Sequence, residues 1–157
     1  MVFSILAGAP VWVWPVLMCL VWLGLKATKE RTVSTWPIYI MPMVGVLSLN
    51  AVRGLDGGGG IWVAFVFAYL VGMRLGRRFQ PGVVLSKSQG QVTLSGEWAT
   101  FLVLMVVFWM NFAGGIAQAI APEVYTSFGF HAVFAVIAGL AAGSFAGRAI
   151  GVYRACG

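Results

Sequence analysis

Charge is scarce in this chain. Only 9% of its 157 residues are Asp, Glu, Lys or Arg, against roughly 25% in a soluble domain, too little to cover a water-exposed globule. The acids number four, Glu30, Asp56, Glu97 and Glu123. All are expected in loops or at helix ends, which leaves no carboxylate pair or proton relay inside a bilayer. A single histidine, His131, excludes bis-histidine haem ligation and a histidine-rich metal site within one chain. It reads as a polar helix-end residue. The two cysteines, Cys19 and Cys156, have no CxxC spacing, so neither a redox motif nor structural zinc is expected. Gly57–Gly60 lacks the lysine and preceding strand of a phosphate loop and reads as a flexible turn. No nucleophile–base pair or cofactor motif is visible. The expected catalytic, metal and cofactor residues are therefore none, and an enzyme is not expected.

What the chain has is apolar length. Hydrophobic residues make up 61% of it, and the mean hydropathy is +0.94. Five segments approach the roughly 20 residues of a bilayer crossing: about 5–25, 33–52, 59–76, 98–119 and 131–151. The expected fold is an all-α integral membrane protein, a single domain over 1–157 with five transmembrane helices. No basic stretch precedes the first segment, whose first lysine is Lys26 at its far end, so it reads as a retained helix. Pro15 and Pro42 predict local bends.

The cations orient the helices. Lys26, Lys29, Arg31, Arg74, Arg77, Arg78, Lys87, Arg148 and Arg154 fall on one side, and only Arg53 on the other. The positive-inside rule then places the N-terminus outside and the C-terminus in the cytoplasm. Tryptophan and tyrosine agree. Trp12, Trp14, Trp62 and Tyr125 fall at outer ends, and Trp22, Trp36, Trp98 and Tyr153 at inner ends, the interfacial depth such rings prefer. The net charge of +6 thus reads as topology, and no nucleic-acid partner is expected.

Glycine recurs every fourth residue in the last segment: Gly139, Gly143, Gly147 and Gly151. Each costs up to about 1 kcal/mol in helix propensity. The third segment carries its own small-residue stripe, Gly60, Ala64, Ala68, Gly72 and Gly76. Bare backbone lets membrane helices approach closely, so these stripes predict packing of segment five on segment three, with homodimerisation through segment five as the alternative.

Residues 81–96, PGVVLSKSQGQVTLSG, read as a small cytoplasmic β-hairpin about Ser88-Gln89-Gly90, or else as an unstructured linker. Two stretches look duplicated. Thr32-Val33-Ser34-Thr35-Trp36 matches Thr93-Leu94-Ser95-Gly96-Glu97-Trp98, and Gly72–Arg77 matches Gly143–Arg148. They suggest parallel repeats over 32–77 and 93–148; the alternative is a chance match of motifs common in membrane helices.

This layout has a basic first loop, a proline-bearing second helix, a β-prone basic loop ending in Gly-X-Trp, and a last helix with GxxxG before arginine. It resembles small bacterial multi-pass membrane proteins known only as a domain of unknown function and, more distantly, CcdC-type membrane proteins. The resemblance implies a bacterial inner-membrane protein and transfers no activity. Gly96-Glu97-Trp98 stands where that family often has Gly-Ser-Trp, and Asn111 near a position that is often basic, so a site built on that basic residue would be absent here.

Asn50, Asn111, Gln118, Ser48 and Ser144 remain inside the membrane segments. Each is expected to face another helix or a wet cavity, because unsatisfied amides in hydrocarbon are costly. The preferred reading is helix–helix association, as an accessory or assembly subunit or a homo-oligomer, with the lipid bilayer and another membrane protein or copy as partners. The alternative is a small-solute or ion transporter or channel, with a polar cavity near Asn50, Asn111 and Gln118 and Arg53 at its mouth. Glu97, in the first turn of segment four, is assigned only a favourable interaction with the helix dipole.

Overall fold

The computed structural model describes residues 11–34, 36, 44–55, 58–79, 84–88 and 91–154. In chain order these form α1 (Val13–Ala27), β1 (Arg31–Ser34), α2 (Val44–Arg53), α3 (Gly58–Phe79), β2 (Val84–Ser88), β3 (Gln91–Leu94), α4 (Trp98–Ile120), α5 (Pro122–Tyr125) and α6 (Phe128–Arg154). Three helices, α3, α4 and α6, are long and apolar enough to cross a membrane. The described parts of segments one and two, α1 and α2, run for 15 and 10 residues. Among the described residues, three of the five expected spans are each covered by a helix of crossing length. Pro42, Asp56, Gln89, Gly90 and Cys156 lie outside those residues. Pro15 sits in the first turn of α1, where its missing N–H breaks no helical bond, so the bend expected there has no cause.

The hairpin forms, and it gains a third strand. β2 and β3 pair antiparallel, and β1 joins the other edge of β3 in the order β1-β3-β2. Segment two was expected to be helical from 33. Instead Val33 and Ser34 lie in β1, opposite Val92 and Gln91. The reason is local: Arg31–Ser34 is short, polar and β-branched, better suited to a ladder than to the start of an apolar helix. Thr32 and Thr93 are directly opposite, and their hydroxyls hydrogen-bond at 3.0 Å. A hairpin alone is marginal in water. Here Val92 and Leu94, with Val33 beside them, bury against Ala149 and Val152 at the end of α6.

The sheet marks one end of the molecule. Lys26, Arg74, Arg77, Arg78, Arg148 and Arg154 lie in the helix halves that lead to it, while Arg53 ends α2 at the opposite end. Gly58 opens α3 at that opposite end with φ +63°, a left-handed conformation open to glycine. There Val52, Ile61, Phe65 and Ala135 form a second buried cluster joining α2, α3 and α6.

The main helix contact is α3 on α6. By contrast, α4 stands to the side. Of its most apolar stretch 11% is buried, against 39% for α6, so α6 is the central helix and α4 a flanking one. α1 holds α4 near the sheet. The Phe101 ring fills the space over Gly24, and the Glu97 N–H donates to the Ala27 carbonyl at 2.9 Å.

Candidate functional site

The α3–α6 seam is built on backbone. A Cβ on Gly139 would lie 2.6 Å from the Phe65 carbonyl oxygen. On Gly143 it would fall on the Tyr69 oxygen and on Gly147 on the Met73 oxygen. From the other side, Gly72 and Gly76 would strike the carbonyl oxygens of Leu140 and Ser144. The contacts are reciprocal. Tyr69 and Met73 precede Gly72 and Gly76 by one turn, as Leu140 and Ser144 precede Gly143 and Gly147. Both helices run toward the sheet, so the seam is parallel. Ala68 and Gly151 are buried, and Ala64 is half-buried. A Cβ on Gly60 would meet the Phe128 ring at ordinary contact distance, 3.6 Å.

Where this seam approaches the sheet, a polar cluster is enclosed. Arg148 Nη1 donates to Glu97 Oε1, and to Thr100 Oγ1 at 2.6 Å; the Thr100 hydroxyl donates to the same carboxylate oxygen at 2.6 Å. The Arg148 and Glu97 side chains are 11% and 18% exposed, so each charge depends on the other rather than on water. Glu97 is the residue before α4, yet its side chain makes no capping bond. Its partner is Arg148 on α6, a contact that the sequence reading did not find. A lone acid beside an apolar helix, with an arginine at matching depth in another segment, was the available signal.

Two cavities flank α4. One, of about 280 Å³, lies between α2, α4 and α6, with Ser48 and Asn111 among largely apolar walls such as Leu104, Ile137 and Phe145. The other, of about 330 Å³, lies between α3, α4 and α6, from Ile137 down to Arg148. Of the amides expected to share a polar cavity, Asn111 alone borders one. Asn50, Arg53 and Gln118 are exposed and border neither. Helix geometry explains this. Asn50 is two residues from Ser48, hence about 200° around α2, and Gln118 lies about 10 Å beyond Asn111 along α4. Asn111 Nδ2 donates to the Val107 carbonyl at 2.8 Å.

His131, expected as a polar helix-end residue, is buried at 3% exposure. Its ring meets Tyr125 edge-on at 6.0 Å, and its Nδ1 has no hydrogen-bond partner among the described residues. The short α5 turn brings Tyr125 back over the start of α6, which covers a position the sequence left open. Among the described residues, no group of three or more His, Cys, Asp or Glu side chains could hold a metal ion.

Over 82 residues the chain is 29% identical to an uncharacterised protein of Pasteurella multocida (strain Pm70), covering 49% of this chain and 58% of that protein. The chain therefore matches less than two thirds of that relative's length. No protein family matches the chain. No solved structure matches it either. A bacterial relative without assigned function agrees with the broader part of the resemblance; neither the domain of unknown function nor the CcdC-type proteins gain support.

Proposed function

We propose that this protein acts through helix–helix association in a membrane, as an accessory or assembly subunit or as a homo-oligomer. The carrying observation is Asn111, exposed midway along the flanking helix α4, whose side chain has its own Val107 carbonyl as its one hydrogen-bond partner among the described residues. The remaining amide N–H and oxygen face cost in hydrocarbon unless another helix satisfies them. The glycine seam is occupied within the chain, so the association surface is the side of α4 that carries Asn111, beside α2 at the mouth of the 280 Å³ cavity. In this reading five segments cross a bacterial inner membrane, with the N-terminus outside, and the sheet-end cations support that orientation. The reciprocal glycine contacts and the Thr32–Thr93 pair support 32–77 and 93–148 as two parallel repeats that meet as an internal pseudo-dimer.

Native mass measurement in mild detergent tests the association. The wild type is expected to carry a second copy or another membrane protein. Asn111→Leu should weaken that complex about three- to tenfold, the effect of one interhelical hydrogen bond, while the monomer stays folded. A second reading, a small-solute transporter, draws on Asn111 and Ser48 sharing the 280 Å³ cavity. A wild type that is monomeric and alone, with liposome uptake lost in Asn111→Leu, would favour it and overturn the first.

A further inference from the structure

The cavity between α3, α4 and α6 carries a feature that helix association does not use. Its walls are apolar along most of its length: Leu75 and Phe79 from α3, Leu102 and Val106 from α4, Leu140 from α6. It follows α6 from Ile137 to Arg148, about 16 Å at the helical rise. Leu75, Phe79, Leu102 and Val106 are all exposed, so the slot opens sideways onto the surface that lipid would cover. At its sheet end stands Arg148. Only Nη1 of that guanidinium is engaged by Glu97 and Thr100; Nε and Nη2 donate to no described residue, and neither is a fully enclosed atom without a partner. Arginine has five N–H donors in a planar fork, so one anion does not exhaust it. Exposed Arg77 and Arg78 immediately precede Phe79 at the same end.

We propose that this slot holds one acyl chain of an anionic phospholipid, with the headgroup phosphate at the sheet end between Arg148 and Arg78. An apolar trough open to hydrocarbon excludes water and fills with a lipid tail. Charge selects the headgroup. Glu97 neutralises Arg148, so the positive surplus that attracts a phosphate comes from Arg78, with the Arg148 Nε and Nη2 groups, unengaged among the described residues, as donors. The slot volume of about 330 Å³ lies at the small end of ligand sites, too small for a whole lipid, so it would enclose part of one chain.

The test uses the full chain, delipidated in mild detergent and titrated with phosphatidylglycerol or with phosphatidylcholine of the same acyl chains. Native mass spectrometry reads the first bound lipid. The expected result is one retained phosphatidylglycerol, favoured about fivefold over phosphatidylcholine, with the preference reduced about fivefold in Arg78→Gln. Val103→Trp, which fills the slot from α4, should lose that equivalent of lipid. Inorganic phosphate and short-chain phosphatidylglycerol should not compete, because neither fills the slot. Equal binding of the two lipids, an unchanged preference in exposed-site Arg78→Gln, or full retention by a folded Val103→Trp would each overturn the proposal. Competition by inorganic phosphate would also overturn it, leaving only an anion site.

Discussion

Gly143→Leu is expected to prevent the native fold, at a cost above about 3 kcal/mol, the upper range of overpacking. The position leaves no room for even one added carbon. A Cβ there falls on the Tyr69 carbonyl oxygen and lies 2.9 Å from the Met73 nitrogen. Both obstacles are backbone of a helix hydrogen-bonded along its length, so neither can rotate away as a side chain would. Relief requires α3 and α6 to separate, and separation also opens the contacts at Gly139, Gly147, Gly72 and Gly76. Val136→Leu is the control. Val136 is exposed, and its change should stay within about 0.5 kcal/mol. The two variants add apolar bulk to one helix; thermal unfolding in detergent separates them.

Glu97→Ala should destabilise the protein by about 3–5 kcal/mol, as removal of one partner leaves the other charge buried and uncompensated. Arg148 has no second carboxylate among its described contacts, and Thr100 can offer only a hydroxyl. The diagnostic comparison is the double variant Glu97→Ala with Arg148→Leu. Replacement of both charges removes the stranded guanidinium, so the pair should recover much of the loss. Denaturant unfolding of the two single variants and the double variant measures the coupling. Equal stability of Glu97→Ala and wild type would mean that water already solvates Arg148.

Different parts of this structure were legible in the sequence to different degrees, for physical reasons. Long apolar segments and the stripe at Gly139, Gly143 and Gly147 are one-dimensional patterns, and a four-residue period marks one helical face directly. The β2–β3 hairpin is likewise local, two β-prone runs close together in sequence. β1 was not legible as a strand, because its partner β3 lies about 60 residues away and its four residues abut an apolar segment that dominates a hydropathy reading. The Glu97–Arg148 pair spans 51 positions, and nothing local distinguishes Arg148 from the other cations at that end. For the polar cavity the depth of Asn111 was readable, but not the helix faces. Asn50 and Ser48 are near neighbours in sequence and opposite in space. The burial of His131 is not legible in the sequence, because its cover comes from Tyr125, across a turn with no clear periodicity.

The central claim is that α3 and α6 are held together by backbone contact at glycine, and one paired measurement addresses it most directly. Gly147 and Gly115 both lie inside long helices, and alanine improves helix propensity at either by about 1 kcal/mol. Their surroundings differ. A Cβ at Gly147 meets the Met73 oxygen and lies 2.8 Å from the Arg77 nitrogen, whereas at Gly115 nothing stands within 4 Å. Unfolding midpoints of Gly147→Ala and Gly115→Ala in the same detergent should therefore move apart. Gly115→Ala should match or exceed the wild type, and Gly147→Ala should fall well below it. Equal midpoints for the two alanine variants would contradict the packing of α3 on α6.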